Sequence, residues 1–546
     1  MAETTLDIEG TPGRRSTGDE EEAATLDIHG VGMKIQRAEE AYKTYARVLE
    51  KPTKGEVLGW YFYELCSYFI LTVLIPILFP LIISQTIKAS PESVRVEERD
   101  KGLYCDQKEI LLYAGLAQRS IKLNNLNISP LEWTSISWVA GLIVAAPILG
   151  TISLHLDYGH GQQLIAAAAT AIGALFCLPT GFFRTRWIFP LYIAAIVAAN
   201  TIGTASHARH LGLMIRGFIG STIRKSQLPD RRAVAGWLSL YATASGFLGS
   251  TIFAAFTYHM LRKNDSFTGL WVVSIFSGLM WFSGVVHVLS ANRPGGSAIS
   301  PANSIPKSHV ISIFRYPHAA GSLAGVFLSS FTNMSIFTGA VLHSVGDLCI
   351  KPKNLLYLWL TYFLSPLLSL PLLHPLQELI RADAVKMQLL GLFLSTLTSG
   401  FGYYFRHENW HNRHLLLFAA VQSTATGLSH AFGRVLLLDC SPAGKEGAFS
   451  AWFSWVRAVG TCVGFAVASP GSTGYINRSF GVAFCTAIVG ILVLIFGNIS
   501  NFGGALAAGH VRENSEMGSP ARGLDDVVEV KEPEIVGKPH EEETET

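Results

Sequence analysis

Apolar runs of about twenty residues alternate with short polar segments from Trp60 to Ser500. A helix needs about 20 mostly apolar residues to cross the hydrocarbon core of a bilayer. The pattern therefore predicts twelve membrane-spanning helices, near 60–86, 133–154, 162–179, 187–206, 233–260, 268–290, 319–345, 354–373, 384–402, 413–431, 447–468 and 479–500. The fourth, ninth and tenth runs are the least apolar, so a total of eleven is the alternative.

A polar segment divides these runs into six and six, and its Pro- and Gly-rich start, Arg293-Pro294-Gly295-Gly296, is typical of a linker. Two six-helix halves joined in this way are typical of secondary transporters. The predicted domains are an acidic disordered tail (1–32), a basic cytosolic lead-in (33–58), an N-terminal six-helix half (59–291), a central cytosolic linker (292–318), a C-terminal six-helix half (319–500) and a second acidic disordered tail (501–546).

Composition agrees with a surface that faces lipid. Only 15% of the residues are charged and 49% are hydrophobic, whereas soluble domains have about 25% charged residues. A soluble multidomain enzyme is thereby excluded.

Acidic residues concentrate in the tails, with eight against two basic residues in 1–32 and eleven against four in 512–546. The core is therefore basic, but its Lys and Arg lie in short loops where they set topology and contact lipid headgroups, so no nucleic-acid partner is predicted. Their distribution favours cytosolic termini.

Signatures of soluble enzymes do not occur: there is no phosphate-binding loop, no nucleophile elbow and no His-Glu-x-x-His motif. The nearest approach to a metal cluster is a group of three histidines beside Glu408: His407, His411 and His414. Their surroundings are rich in Arg, Asn and Trp, which indicates a polar interfacial loop rather than a ligand set. We therefore predict no enzyme activity, no cofactor and no metal site.

Polar side chains inside the apolar runs indicate a solute path, because a polar group in hydrocarbon costs free energy and usually turns inward. Glu64 is predicted to be a coupling or gating carboxylate, since a carboxylate that faces a cavity can bind a proton. Arg457 is predicted to pair with Glu64 or to hold an anionic group of the solute. The predicted solute contacts are Asn200, Asn333, Gln422 and His430. Hydroxyl and amide groups also join helices to one another, and Glu64 could equally lock a helix at the interface.

Three short motifs lie along this core. They are Gly59-Trp60-Tyr61-Phe62-Tyr63, then Pro147-Ile148-Leu149-Gly150 followed by Asp157-Tyr158-Gly159, and Pro442-Ala443-Gly444-Lys445-Glu446-Gly447-Ala448-Phe449. Together with the glycines of the fifth run, they resemble the autophagy-related vacuolar amino-acid effluxer family of the major facilitator superfamily. The resemblance covers most of the membrane core and neither tail. It departs from the family pattern after Gly150. This segment has two extra residues, and its usual basic residues are replaced by His or by uncharged residues.

The resemblance implies an all-α, major facilitator-like membrane protein of about twelve helices. It also implies that Asp157 and Glu446 are gate residues on the cytosolic face. The function so predicted is a secondary transporter that moves a small polar solute, with amino acids as the favoured class, across a vacuolar or other endomembrane by alternating access. Its partners would be this solute, protons and membrane lipid.

Two features keep a different role open, that of a non-transporting receptor or scaffold that binds proteins through its tails. The motif Thr5-Leu6-Asp7-Ile8-Glu9-Gly10 recurs as Thr25-Leu26-Asp27-Ile28-His29-Gly30, and both tails are acidic. Cys105 and Cys349 fall in loops on the same predicted face, so a disulfide between them is compatible with this topology. A membrane-embedded enzyme that uses the scattered histidines is the least favoured reading.

Overall fold

The computed structural model describes residues 50–87, 115–116, 119–123, 126–158, 162–183, 185–220, 222–263, 266–290, 293, 309–346, 348, 350–405, 410–469 and 475–512. The repeated tail motif, Cys105, Cys349 and His407 lie outside these residues, as does most of the predicted linker. The twelve long helices of the described chain are α1 (Lys54–Thr86), α2 (Pro130–Tyr158), α3 (Gln162–Cys177), α4 (Phe189–Ile219), α5 (Leu228–Lys263), α6 (Ser266–Ser290), α7 (Ala319–Gly346), α8 (Pro352–Ile380), α9 (Ala384–Tyr404), α10 (Asn412–Asp439), α11 (Glu446–Ala468) and α12 (Tyr475–Phe496).

Among the described residues, eleven helices are long and apolar enough to cross a membrane. The twelfth long helix, α9, lies where the ninth span was predicted but is not one of the eleven. Its sequence contains Lys386, Gln388 and four Ser or Thr residues, which lower its mean hydropathy. The prediction of an all-α, multi-pass membrane protein is confirmed, and the two counts of the sequence analysis differ by this one helix.

Short elements complete the described chain. Four 3₁₀ turns cover Leu178–Gly181, Arg186–Ile188, Lys225–Gln227 and Ile311–Arg315. A hairpin joins β1 (Ile121–Leu123) to β2 (Leu126–Ile128), with Leu123 opposite Leu126. Helix α6 has a break between Ser266–Ser283 and Val286–Ser290.

Helix α1 changes its winding in the middle. Its α-helical start, Lys54–Ser67, passes into a π-helical segment, Ile70–Leu78, and returns to α-helix over Phe79–Thr86. Pro76 lies inside the π-helical segment, where it has no amide hydrogen and its ring would clash with the preceding turn of an α-helix. The change of winding begins one turn after Glu64.

Burial separates central helices from lipid-facing ones. In the most apolar stretch of α1, 89% of the residues are buried inside the protein, compared with 22% for α8. Leucines of α8 such as Leu368 and Leu379 are exposed, which is the expected arrangement where the solvent is hydrocarbon. Helix α1 therefore lies at the centre, so that polar groups on it face protein rather than lipid.

Small residues bring α1 close to α5. A Cβ atom added at Gly249 of α5 would collide with the backbone carbonyl of Leu65 on α1, so the two helices approach as closely as glycine allows. Helix α5 also packs on α8 and α10, while α11 packs on α2 and α4. These contacts bring helices from before the predicted linker against helices from after it.

Residues 501–512 differ from the prediction of a disordered tail that starts at residue 501. They form the short helix α13 (Asn501–Ala507) and the strand β4 (Val511–Arg512), which pairs in parallel with β3 (Ile223–Arg224). Val511 and Ala505 are buried against Ile223 and Leu228. The acidic composition that suggested disorder begins only after these apolar residues, so the prediction is corrected for 501–512.

Candidate functional site

The centre of the protein holds a buried carboxylate, Glu64 of α1. His430 of α10 lies 2.7 Å from Glu64 Oε1 through its Nε2 atom. Arg434, one turn later on α10, donates from Nη1 to Glu64 Oε2 at 3.4 Å. His207 of α4 approaches the same oxygen at 3.2 Å through Nδ1. One carboxylate thus joins α1 and α4 to α10, and buried charges of this kind require such partners.

The geometry around His207 assigns its tautomer. Its Nε2 lies 3.0 Å from the carbonyl oxygen of Trp60, which can only accept a hydrogen bond, so Nε2 carries hydrogen. The Trp60 indole stacks on the imidazole at 4.5 Å and donates back to the His207 carbonyl. The remaining nitrogen, Nδ1, faces Glu64. A proton between these two groups can therefore reside on either one.

Arg434 is held in place from a second side. Its Nη2 donates to the backbone carbonyl of Ser239 and to Thr243 Oγ1, both at 2.9 Å. Its guanidinium carbon lies 5.2 Å from the centre of the Trp60 ring. These contacts with α5 and α1 fix the cation beside Glu64, as expected for an arginine fork.

A polar cavity adjoins this centre and encloses about 660 Å³ of empty space. His430 and Arg457 line it, with Asn333 of α7 and hydroxyl groups of several helices. A smaller space of about 390 Å³ adjoins Glu64 and is lined by Asn200, His430 and Arg457. The structure therefore brings Glu64, Asn200, His430 and Arg457 around one space, and Asn333 lines its larger neighbour.

Arg457 is half-buried, and its guanidinium differs from that of Arg434 in its hydrogen bonds. Within the described part of the chain, its guanidinium makes no side-chain hydrogen bond and no ion pair; its backbone carbonyl accepts from Thr461. The arginine that pairs with Glu64 is Arg434, and anion binding by Arg457 stays a prediction. A guanidinium in a cavity presents a planar fork that matches a carboxylate.

Two predicted solute contacts are already bonded to each other. Gln422 Nε2 donates to Asn333 Oδ1 at 3.1 Å, and Ser395 of α9 donates to the same oxygen. Thr398 donates to the other end of the Gln422 amide. This network joins α7, α9 and α10, as polar groups do in membranes. Asn333 lines the polar cavity, whereas Gln422 faces a neighbouring apolar one.

At one end of the helices, four residues form what we call the gate: Asp157, His309, Arg216 and Glu446. Asp157, at the end of α2, accepts from the Gly447 and Ala448 amides, the latter at 3.0 Å, and from His309 Nε2 at 2.8 Å. These amides are at the start of α11, where the helix dipole favours an anion.

The second pair of the gate joins Arg216, near the end of α4, to Glu446, the first residue of α11. Both side chains are buried. Lys445 next to it donates to Ser312 Oγ at 2.9 Å, and burial lowers the pKa of this lysine. Asp157 and Glu446, the residues predicted to form a gate, thus both take part in contacts between α11 and helices of the preceding half.

Asp157→Asn is expected to open this end. The carboxylate has three hydrogen-bond partners, and loss of a charged helix-terminal contact costs about 1–2 kcal/mol, or roughly tenfold in the population of the open form. Labelling of the Cys440 thiol would report this opening. The thiol is buried beside Phe449, and burial raises its pKa to about 12. In a variant that keeps Cys440 alone, we expect maleimide labelling to be about tenfold faster. Asp230→Asn, an exposed acid at the start of α5, is the control, and equal rates would contradict the gate.

A second buried carboxylate lies two turns before Glu64. Glu56 accepts from Arg293 Nη2 at 3.0 Å and lies 2.8 Å from His210 Nε2. Arg293 also donates to the Glu50 carbonyl at 2.9 Å. This cluster fixes the start of α1 to α4 and to the residue that the sequence analysis placed in the linker.

Sequence reasoning did not assign the roles of His207, Arg434, Arg216 and His309. The signal available was an ionisable residue at the end of an apolar run, which His207 and Arg434 both provide. Nothing in the sequence says that their partners lie more than 100 residues away. Within the described residues, no group of three or more His, Cys, Asp or Glu side chains could hold a metal ion.

Comparison with known proteins gives a structural match. No protein-family model and no curated protein sequence matches the chain. The crystal structure of the human organic anion transporter MFSD10 (TETRAN) is similar to it with a TM-score of 0.50 and 14% sequence identity, and the match covers 82% of this chain and 100% of that one. At this identity the likeness concerns the fold. The chain is therefore an integral, multi-pass membrane protein with the all-α fold of the major facilitator superfamily.

Proposed function

We propose that this protein is a secondary transporter that moves a small carboxylate-bearing solute by alternating access and couples it to protons at Glu64. The observation that carries the proposal is Arg457, whose guanidinium has no bonded partner among the described residues and lines a polar cavity between helices of both predicted halves. A charge away from water is costly unless it is paired. A carboxylate on the solute supplies that pair.

The position of Glu64 supports coupling. Its bonds to His430 and Arg434 run from α1 to α10, so they join the two predicted halves across the cavity. Protonation of the carboxylate removes its charge and weakens the ionic attraction to Arg434. The two halves then separate at this point at a lower cost, which ties the proton to the change of access.

Two other features support transport. The contacts of the gate residues join helices of the two predicted halves at one end, and alternating access requires contacts of this kind to close one end at a time. MFSD10, which has a similar fold, is described as an organic anion transporter. Amino acids carry a carboxylate and remain the class that the sequence resemblance implies. The vacuolar or other endomembrane location also rests on that resemblance, and a scaffold role through the tails concerns residues outside those described.

Uptake into proteoliposomes tests the proposal. Labelled amino acids and labelled small monocarboxylates are offered separately to the full chain, with and without an imposed proton gradient, and empty liposomes give the leak. We expect gradient-stimulated uptake of at least one carboxylate-bearing class. If folded protein moves neither class and binds neither in a thermal-shift assay, the proposal is wrong and the scaffold role is favoured.

A further inference from the structure

We propose that the preferred solute is an amphipathic organic anion, whose anionic head binds Arg457 and whose apolar body enters an aromatic cavity beside the polar one. This inference rests on the proposed function and narrows its solute class. Three observations carry it: the lining of the second cavity, the wall that it shares with the first, and the lack of an acid among the described residues that line the two.

The second cavity lies among α7, α8 and α10 and encloses about 680 Å³ of empty space. Its lining is apolar and rich in rings: Phe337, Trp359, Tyr362, Trp410, Phe418 and Phe480. Sites for organic ligands are lined mainly by apolar and aromatic side chains. We call it the aromatic cavity. Its lining suits a hydrocarbon group and gives little to a small, fully hydrated solute.

The aromatic and polar cavities share part of one wall. Phe337 and Tyr362 line both of them, and their ring centres are 5.1 Å apart. The hydroxyl group of Tyr362 lies 3.4 Å from Thr426, which lines the polar cavity. A solute with its head at Arg457 therefore has its apolar end directed at this pair of rings.

An ammonium group would have no counter-ion there. Among the described residues that line these two cavities there is no carboxylate. Glu64, in the smaller adjoining space, is already bonded to His430, His207 and Arg434. An ammonium that is stripped of water without an acid beside it weakens binding. The site is thus built for an anion rather than for a zwitterion.

Binding to the full chain in lipid nanodiscs tests the inference. The probes are butyrate, hexanoate and octanoate, with norleucine as the α-amino analogue of hexanoate, and empty nanodiscs correct for partition into lipid. We expect the dissociation constant to fall about threefold to fourfold for each added methylene. Norleucine should bind at least about tenfold more weakly than hexanoate.

A cavity-filling variant locates the effect. Ala340 of α7 lines the aromatic cavity and does not line the polar one. Ala340→Phe should abolish the gain with chain length, whereas Ala140→Phe, on the exposed face of α2, should preserve it. Ala419→Leu, also in the cavity lining, replaces Ala340→Phe if that variant does not fold.

The other outcomes separate the two proposals. Equal affinity for all chain lengths, or tighter binding of norleucine, would overturn the amphipathic anion and leave a transporter of amino acids or other small carboxylates. A chain-length gain that persists in both filled variants would place the apolar group elsewhere and also overturn it. If no carboxylate and no amino acid binds, the proposed function itself fails.

Discussion

Arg457→Gln is expected to weaken binding of the carboxylate-bearing solute by about 100-fold. The guanidinium lines the polar cavity and is bonded to none of the residues that the structure describes. A charge-assisted, two-point contact with a carboxylate contributes about 3 kcal/mol. The measurement is the dissociation constant in nanodiscs, together with the thermal midpoint. Because no described acid loses its ion-pair partner, we expect the protein to fold normally.

Arg457→Lys is the matched variant. It keeps the positive charge and loses the fork, so its affinity should lie between those of the wild type and Arg457→Gln. Arg434→Gln tests the other arginine: it leaves Glu64 buried with one partner fewer, so it should lower stability. If Arg457→Gln binds the solute as the wild type does, the head group is not recognised at this position.

Glu64→Gln is expected to abolish accumulation driven by a proton gradient while solute exchange across the membrane continues. A glutamine has nearly the same shape but cannot take up a proton, so the change of access no longer depends on protonation of this side chain and a proton gradient cannot drive accumulation through it. The measurements are gradient-driven uptake and counterflow in the same proteoliposomes. Loss of both activities in folded protein would assign Glu64 to solute binding, and retention of both would assign it to structure.

The same helix provides a control for this variant. Glu56 is also a buried carboxylate with an arginine and a histidine as partners, but it does not line either space beside Arg457. Glu56→Gln should preserve the response to the proton gradient. Both variants remove one side of a buried ion pair, which can cost about 3–5 kcal/mol, so thermal midpoints must be compared before fluxes.

The contacts of the gate and those of Glu64 both join helices of the N-terminal predicted half to helices of the C-terminal one. Asp157 and Arg216 hold the start of α11, and Glu64 holds α10 at His430 and Arg434. Breaking one set of contacts while keeping the other would separate the helices at one end only. That is the physical requirement for alternating access.

The sequence by itself determined the architecture. Apolar runs long enough to span a bilayer must be helical, because hydrocarbon offers no partner for backbone amides, and all twelve predicted runs are helices. Composition left the fourth, ninth and tenth runs ambiguous, and of these three α9 is the one that is not among the eleven apolar helices. Composition also did not predict the ordered structure of residues 501–512. The apolar contacts of Val511 that stabilise it are with β3, nearly 300 residues earlier in the chain.

The sequence also indicated that ionisable residues inside the runs would matter, and Glu64, His430 and Arg457 meet around one space. Only the tertiary structure decided which arginine pairs with Glu64. Arg434 and Arg457 are alike in sequence terms, but Arg434 is on α10, where Ser239 and Thr243 hold it beside the carboxylate. Pairing energy falls steeply with distance, and distances between helices follow from packing that no local pattern records. The cation left facing the cavity is therefore a property of the fold.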